Sequence, residues 1–220
     1  MGEILRIAVQ KKGRLSEDSL NLIKQCGINF SKGGATLKSN AYNFPIEFLY
    51  LRDDDIPGYV EDGVADIGII GENVLVEYQK DVDLKLRLGF SKCRLSIGIP
   101  KGDSYNGIKD LDGKDIATSY PNLLGSYLKE NGVSANIHVI TGSVEIAPSI
   151  GLADAVCDIV SSGSTLVANG LKEAEKIFHS EAILVANKGM NEEKVAILDS
   201  LLFRMKAVMS SKNTKYITLN

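Results

Sequence analysis

Short apolar runs alternate with segments of helical period along nearly the whole of this 220-residue chain, and no other feature restricts its fold so strongly. The first run, residues 4–9, reads as a buried strand. Residues 15–26 follow with Leu15, Leu22 and Ile23 on one face, behind Ser16 as a candidate cap, which is the pattern of an amphipathic helix. Further strands are predicted at 46–51, 67–70, 84–88, 95–99, 116–118, 137–140, 156–160 and 183–186. Helices are predicted between most of them, at 56–62, 73–79, 123–131, 144–153 and 166–176. Strands that take turns with helices in this way predict an α/β fold.

Residues 30–44 interrupt the rhythm, with Gly33-Gly34 between polar, alternating flanks that suggest a hairpin. Turn clusters at residues 100–104 and 187–189 allow the span between them to be a second domain inserted in the first. Beyond it, residues 192–209 carry apolar side chains at helical spacing, and 215–219 suggest a final strand.

Composition excludes several functions. With 25 basic and 28 acidic side chains the formal charge is −3, which offers no extended basic face for nucleic acid. No apolar run approaches the ~20 residues of a membrane helix, and Met1 to Gln10 lacks the pattern of a signal peptide, so neither membrane nor nucleic acid is an expected partner. Cys26, Cys93 and Cys157 are odd in number and widely spaced, and read as reduced thiols of a cytoplasmic protein. Neither His138 nor His179 has the spacing of a metal site, and no protein metal site is expected.

The most informative stretch is Val156-Cys157-Asp158-Ile159-Val160-Ser161-Ser162-Gly163-Ser164-Thr165-Leu166. An apolar strand runs into a small, hydroxyl-rich turn that opens a helix, a combination that offers N–H and O–H donors to an anion. It is not a Walker A loop, since the Lys is missing. Ser161 and Ser162 either cap the helix or help to hold a phosphate. Asp158 shifts the balance, because a carboxylate within an apolar run needs a partner and ribose hydroxyls would supply one.

A second candidate is Gln10-Lys11-Lys12-Gly13-Arg14, a basic turn between the first strand and the first helix, where α/β sheets bind ligands. Gly13 permits close approach of the backbone to an anion. Arg52-Asp53-Asp54-Asp55-Ile56-Pro57 also joins a strand to a helix. Its carboxylates suit a helix start better than a metal site, and Arg52 is the better ligand candidate. Ser143 and Glu145 either cap or bind, while Tyr120 either stacks on a flat base or fills a cleft.

Six segments in register, LRIAVQKKGRL (5–15), LRDDDIP (51–57), DIGIIGENVL (66–75), ATSYP (117–121), TGSVEIAP (141–148) and ADAVCDIVSSGSTLVANG (153–170), resemble the catalytic core of ATP phosphoribosyltransferase. The resemblance implies two α/β domains of the periplasmic-binding-protein type II kind with a cleft between them. The expected domains are 1–90 plus 188–220, and 91–187. It implies a phosphoribosyl transfer in which adenine N1 of ATP attacks the anomeric carbon of phosphoribosyl pyrophosphate and pyrophosphate leaves, the first step of histidine biosynthesis. The alternative is a small-anion or nucleotide-binding module of the same fold without turnover.

Carried over by resemblance, Asp158, Ser161, Ser162, Gly163, Ser164 and Thr165 hold the ribose hydroxyls and 5′-phosphate. Arg14 and Lys12 face the pyrophosphate and nucleotide phosphates as the catalytic pair, and Arg52, Tyr120 and Glu145 are substrate contacts. Mg²⁺ is the expected cofactor, carried by the substrate. The resemblance also implies a homodimer or higher homo-oligomer, with a regulatory subunit in short relatives. Long relatives continue past a segment like 215–220 into a regulatory domain, and this sequence looks like a long-form core that stops at that junction.

Overall fold

The computed structural model describes residues 2–32 and 36–211. The described chain divides into two units: residues 2–32, 36–75, 79–91 and 181–211 form the first, and residues 76–78 and 92–180 the second.

The first unit is built on a six-stranded sheet of β1 (Leu5–Gln10), β2 (Lys38–Asn40), β3 (Ile46–Leu51), β4 (Ile67–Gly71), β5 (Asp83–Arg87) and β11 (Ala182–Ala186), in the order β2-β3-β1-β4-β11-β5. β1 pairs in parallel with β3 and β4, whereas β11 runs antiparallel to both β4 and β5. Alternate residues supply opposite faces. Leu5, Ile7 and Val9 pack with Leu22 and Ile23 of α1 (Arg14–Gln25) and with Leu198, Leu201 and Met205 of α6 (Glu192–Ser211). Ala8 and Leu49 meet Ile56 and Val60 of α2 (Ile56–Glu61) on the other side. Both faces are covered, which is why these strands read as continuous apolar runs. α2 lies so close to β4 that a Cβ on Gly68 would stand 2.6 Å from Ile56 Cγ2.

The second unit holds a five-stranded sheet of β6 (Cys93–Pro100), β7 (Asp115–Thr118), β8 (Asn136–Val139), β9 (Ala155–Val160) and β10 (Leu171–Ser180), ordered β10-β6-β9-β7-β8. Leu124 and Leu128 of α4 (Pro121–Glu130) pack with Leu95, Ile97, Ile116 and Cys157 on one face. On the other face Val144, Ala147 and Leu166 pack with Ala117 and Val156. The end of α3 (Glu72–Tyr78) groups with this unit, where the buried Glu77 carboxylate accepts the N–H groups of Asn122 and Leu123, both at 2.9 Å, at the start of α4.

Several expectations are corrected. The helix expected at 166–176 is only α5 (Ser164–Ala168). Gly170 at φ +73° ends the segment, and the next ten residues form β10. Two register shifts along β10, between Glu173 and Glu175 and between Lys176 and Phe178, break the two-residue alternation and leave a charge spacing that imitates a helix. The helix expected at 144–153 is instead two 3-10 turns, Val144–Ile146 and Pro148–Ile150. Pro148 brings no N–H to continue a helix, and Gly151 at φ +72° ends the segment. Ser16 does not cap α1, because the helix starts at Arg14 behind Gly13 and Ser16 is buried inside it. The hairpin expected at 30–44 is represented by an antiparallel bridge between Phe30 and Ala41 and by β2 on the edge of β3. The chain re-enters the first unit at Glu181 and not at 188, because β11 completes the first sheet. The strand expected at 215–219 lies outside the described residues.

Candidate functional site

In the second unit β9 leaves the sheet at Val160, and the chain turns through Ser161, Ser162 and Gly163 into α5. Gly163 is the residue before the helix and sits at φ +84°, a left-handed conformation that glycine adopts without steric cost. This turn walls a cavity of about 290 Å³ lined by Glu145, Asp158, Ile159, Val160, Ser161, Ser162, Gly163, Thr165 and Leu166. Among the described residues, the N–H groups of Ser162 and Gly163 have no protein acceptor. They remain available to an anion.

Two carboxylates stand in the same cavity. Asp158 accepts the N–H of Ile159 at 2.8 Å, and its pKa is raised, first by burial and then by the charge of Glu145, with the Ile159 bond opposing. An acceptor-rich wall beside a donor-rich turn is the complement of a sugar phosphate: carboxylates accept hydrogen bonds from hydroxyls, and N–H and O–H groups donate to phosphate oxygens. Ser164 is the one member of the expected loop set that does not line the cavity. Its N–H and hydroxyl bond the Ser162 hydroxyl at 3.3 and 2.9 Å, which braces that side chain from behind.

The basic turn lies in the first unit, at the carboxyl ends of two adjacent parallel strands. The Lys11 N–H donates to the Leu51 carbonyl at 2.8 Å and extends the β1/β3 ladder, so Lys12, Gly13 and Arg14 leave the sheet beside Arg52. Arg14 is exposed, and among the described residues its ion-pair partner is Asp18 at 3.8 Å, one helical turn on. Lys12 and Arg52 are also exposed. The sequence carried no sign of Lys32, which returns from the 30–44 excursion to hold this turn. Its ammonium donates to the Lys11 carbonyl at 2.6 Å and the Ser16 hydroxyl at 3.3 Å, and lies 4.9 Å from the centroid of the Tyr50 ring. Burial lowers the Lys32 pKa, Glu17 opposes that, and the nearby Lys11 and Lys12 lower it further.

Asp53, Asp54 and Asp55 form a 3-10 turn that runs into α2, and none of them caps it through a side-chain hydrogen bond. Tyr120 packs against the core of the second unit and is not among the residues lining the cavity. His138 bonds Asp115 at 2.9 Å in a half-buried pair, and neither residue lines this cavity. All three cysteines are unbridged. Among the described residues no helix is long and apolar enough to cross a membrane, and no group of three or more His, Cys, Asp or Glu is placed to hold a metal ion.

The family model for ATP phosphoribosyltransferase matches residues 52–207. An ATP phosphoribosyltransferase from Cytophaga hutchinsonii is 66% identical over 220 residues, spanning all of this chain and 77% of that relative. The solved ATP phosphoribosyl transferase (HisG:HisZ) complex from Thermotoga maritima includes a chain that superposes with a TM-score of 0.81 at 31% identity, covering 94% of this chain and 100% of that one. The substrate binding protein of an amino acid ABC transporter, at 12% identity and a TM-score of 0.63 over 95% of this chain and 94% of its own, shares the fold alone. With the family model covering well over half of its length, and a relative this similar from end to end, the chain belongs to the ATP phosphoribosyltransferase family.

Proposed function

We infer that this chain transfers the phosphoribosyl group of phosphoribosyl pyrophosphate to N1 of ATP, releasing pyrophosphate, as the first step of histidine biosynthesis. The observation that carries this reading within the site is the pairing of Asp158 and Glu145 with the donor-rich turn from Ser161 to Thr165 in one cavity. In this reading the carboxylate of Asp158 takes the ribose hydroxyls, and the turn takes the 5′-phosphate. Arg14 and Lys12 serve the pyrophosphate and nucleotide phosphates, and Arg52, Tyr120 and Glu145 are further substrate contacts.

The chemistry asks little of the protein in the way of proton transfer. Adenine N1 is unprotonated at neutral pH, so the barrier lies in departure of pyrophosphate and growth of positive charge at the anomeric carbon. Positioning and fixed charge are then the main contributions. Asp158 and Glu145 are hard oxygen donors in the cavity, and in this reading Mg²⁺ arrives on the substrate's diphosphate and keeps several waters. When bound, that ion would neutralise charge on the leaving pyrophosphate.

The test is pyrophosphate release by the pure chain, in the cytoplasmic pH range, with and without a candidate regulatory subunit. Release that requires ATP, phosphoribosyl pyrophosphate and Mg²⁺ together supports the reading. Saturable binding of either substrate without release in any assembly would leave a binding module of the same fold.

A further inference from the structure

Behind the phosphate turn is a polar network that no substrate contact requires. Arg94 of β6 pairs in register with Val160, the last residue of β9, so its side chain stands where the turn begins. Its Nε and Nη2 donate to the two carboxylate oxygens of Glu173 on β10, the second at 2.7 Å, and its Nη1 donates to the Ser161 carbonyl at 3.0 Å. The buried Ser96 hydroxyl adds a third bond to Glu173, at 2.7 Å to Oε1. Arg94 and the Ser96 bond hold the Glu173 carboxyl at about 2, burial opposing, so the brace stays ionised through the neutral range.

The geometry bears on the turn through the peptide bond itself. Ser161 is the first residue beyond the β9 ladder, so its carbonyl has no strand partner, and Arg94 supplies one. In a trans peptide the carbonyl and the following N–H point in opposite directions. Holding the Ser161 oxygen on the Arg94 side therefore aims the Ser162 N–H away from it. Ser162 lines the cavity, and its N–H has no protein acceptor among the described residues.

We propose that Arg94, locked by Glu173, is a positioning residue that sets the Ser161–Ser162 peptide so that its N–H faces the 5′-phosphate of phosphoribosyl pyrophosphate. The inference rests on the reading of this turn as the phosphate site. Arg94 serves as a brace and not as an anion ligand, because three of its N–H donors are committed and its charge is matched by Glu173. An ammonium in its place can meet the carboxylate or the carbonyl, but cannot present a planar fork to both.

Steady-state kinetics and calorimetric titration with phosphoribosyl pyrophosphate, on Arg94→Lys, Glu173→Gln and Thr165→Val, test this. Melting midpoints within about 4 °C of the unaltered chain indicate an intact fold. Arg94→Lys should raise KM for phosphoribosyl pyrophosphate about tenfold, the loss of one charge-assisted bond, and leave KM for ATP unchanged. Glu173→Gln should weaken phosphoribosyl pyrophosphate in the same direction, whereas an Arg94 that bound phosphate directly would bind it more tightly once its counter-charge was removed. Unchanged binding in Arg94→Lys, or tighter binding in Glu173→Gln, overturns the inference. Thr165→Val separates it from the reading beneath: if that variant binds as the unaltered chain does, the turn is not the phosphate site and both fall. If Thr165→Val is weakened while Arg94→Lys is not, the inference alone falls.

Discussion

Asp53→Asn should make the folded chain more stable at alkaline pH and leave it unchanged in acid. Asp53 begins the 3-10 turn after β3, and its Oδ1 is buried with no hydrogen-bond partner among the described residues. Burial, and then the charge of Asp54, push its pKa up to about 6 from the ordinary 3.8. The unfolded chain gives up this proton near 3.8, whereas the folded chain keeps it to about 6. Between those values the folded state binds more protons, so stability falls as pH rises, and the full cost is reached above about 6. At about 1.36 kcal/mol per pH unit, that gap costs the folded state about 3 kcal/mol. Asparagine keeps the shape of the protonated acid without the charge. Denaturant unfolding of both chains at pH 4 and pH 8 should therefore show nearly equal stability at the first and a gain of about 3 kcal/mol for Asp53→Asn at the second. A difference of the same size at both pH values, or a less stable asparagine variant at pH 8, would refute the reasoning.

Arg14→Ala should lower kcat about 10²-fold to 10³-fold with little change in melting midpoint, because the exposed guanidinium makes just a long ion pair with Asp18 among the described residues, while negative charge grows on pyrophosphate in the transition state. A rise in KM for ATP with kcat unchanged would make it a ground-state ligand instead. Gly68→Ala should cost about 1 to 3 kcal/mol in denaturant unfolding, since its Cβ would stand 2.6 Å from Ile56 Cγ2 and 3.0 Å from Val60 Cγ2 on α2. An unchanged midpoint would show that α2 can yield. Lys32→Met keeps the stem of the side chain and removes the donor to the Lys11 carbonyl, so amide exchange at Lys12 and Arg14 should quicken and stability fall by about 1 kcal/mol. Unaltered exchange there would mean the basic turn is held without Lys32.

The elements most legible in the sequence are those whose burial is simple. β1, β3, β4 and β11 are covered on both faces, so their apolar runs are unbroken and their positions can be read within a residue or so. The cavity turn was equally visible, because a strand end, small hydroxyl residues and a glycine at positive φ are local chemistry. Asp158 and Glu145 were also candidates, but their common cavity comes from the packing of the Val144–Ile146 turn against β9.

β10 was hidden because its bulges alter the alternation that marks a strand, and only pairing with β6 selects it over a charged helix. Arg94 and Glu173 are 79 positions apart, and Lys32 lies 21 positions from Lys11, so neither contact leaves a spacing that a sequence can show. The chain by itself thus determined the α/β class, the strands buried on both faces and the turn that supplies N–H and hydroxyl donors, since each follows from local propensity and hydrophobic period. Tertiary structure alone decided which distant side chains hold those turns in shape, because hydrogen bonds between remote residues depend on strand register and sheet order, which local sequence does not encode.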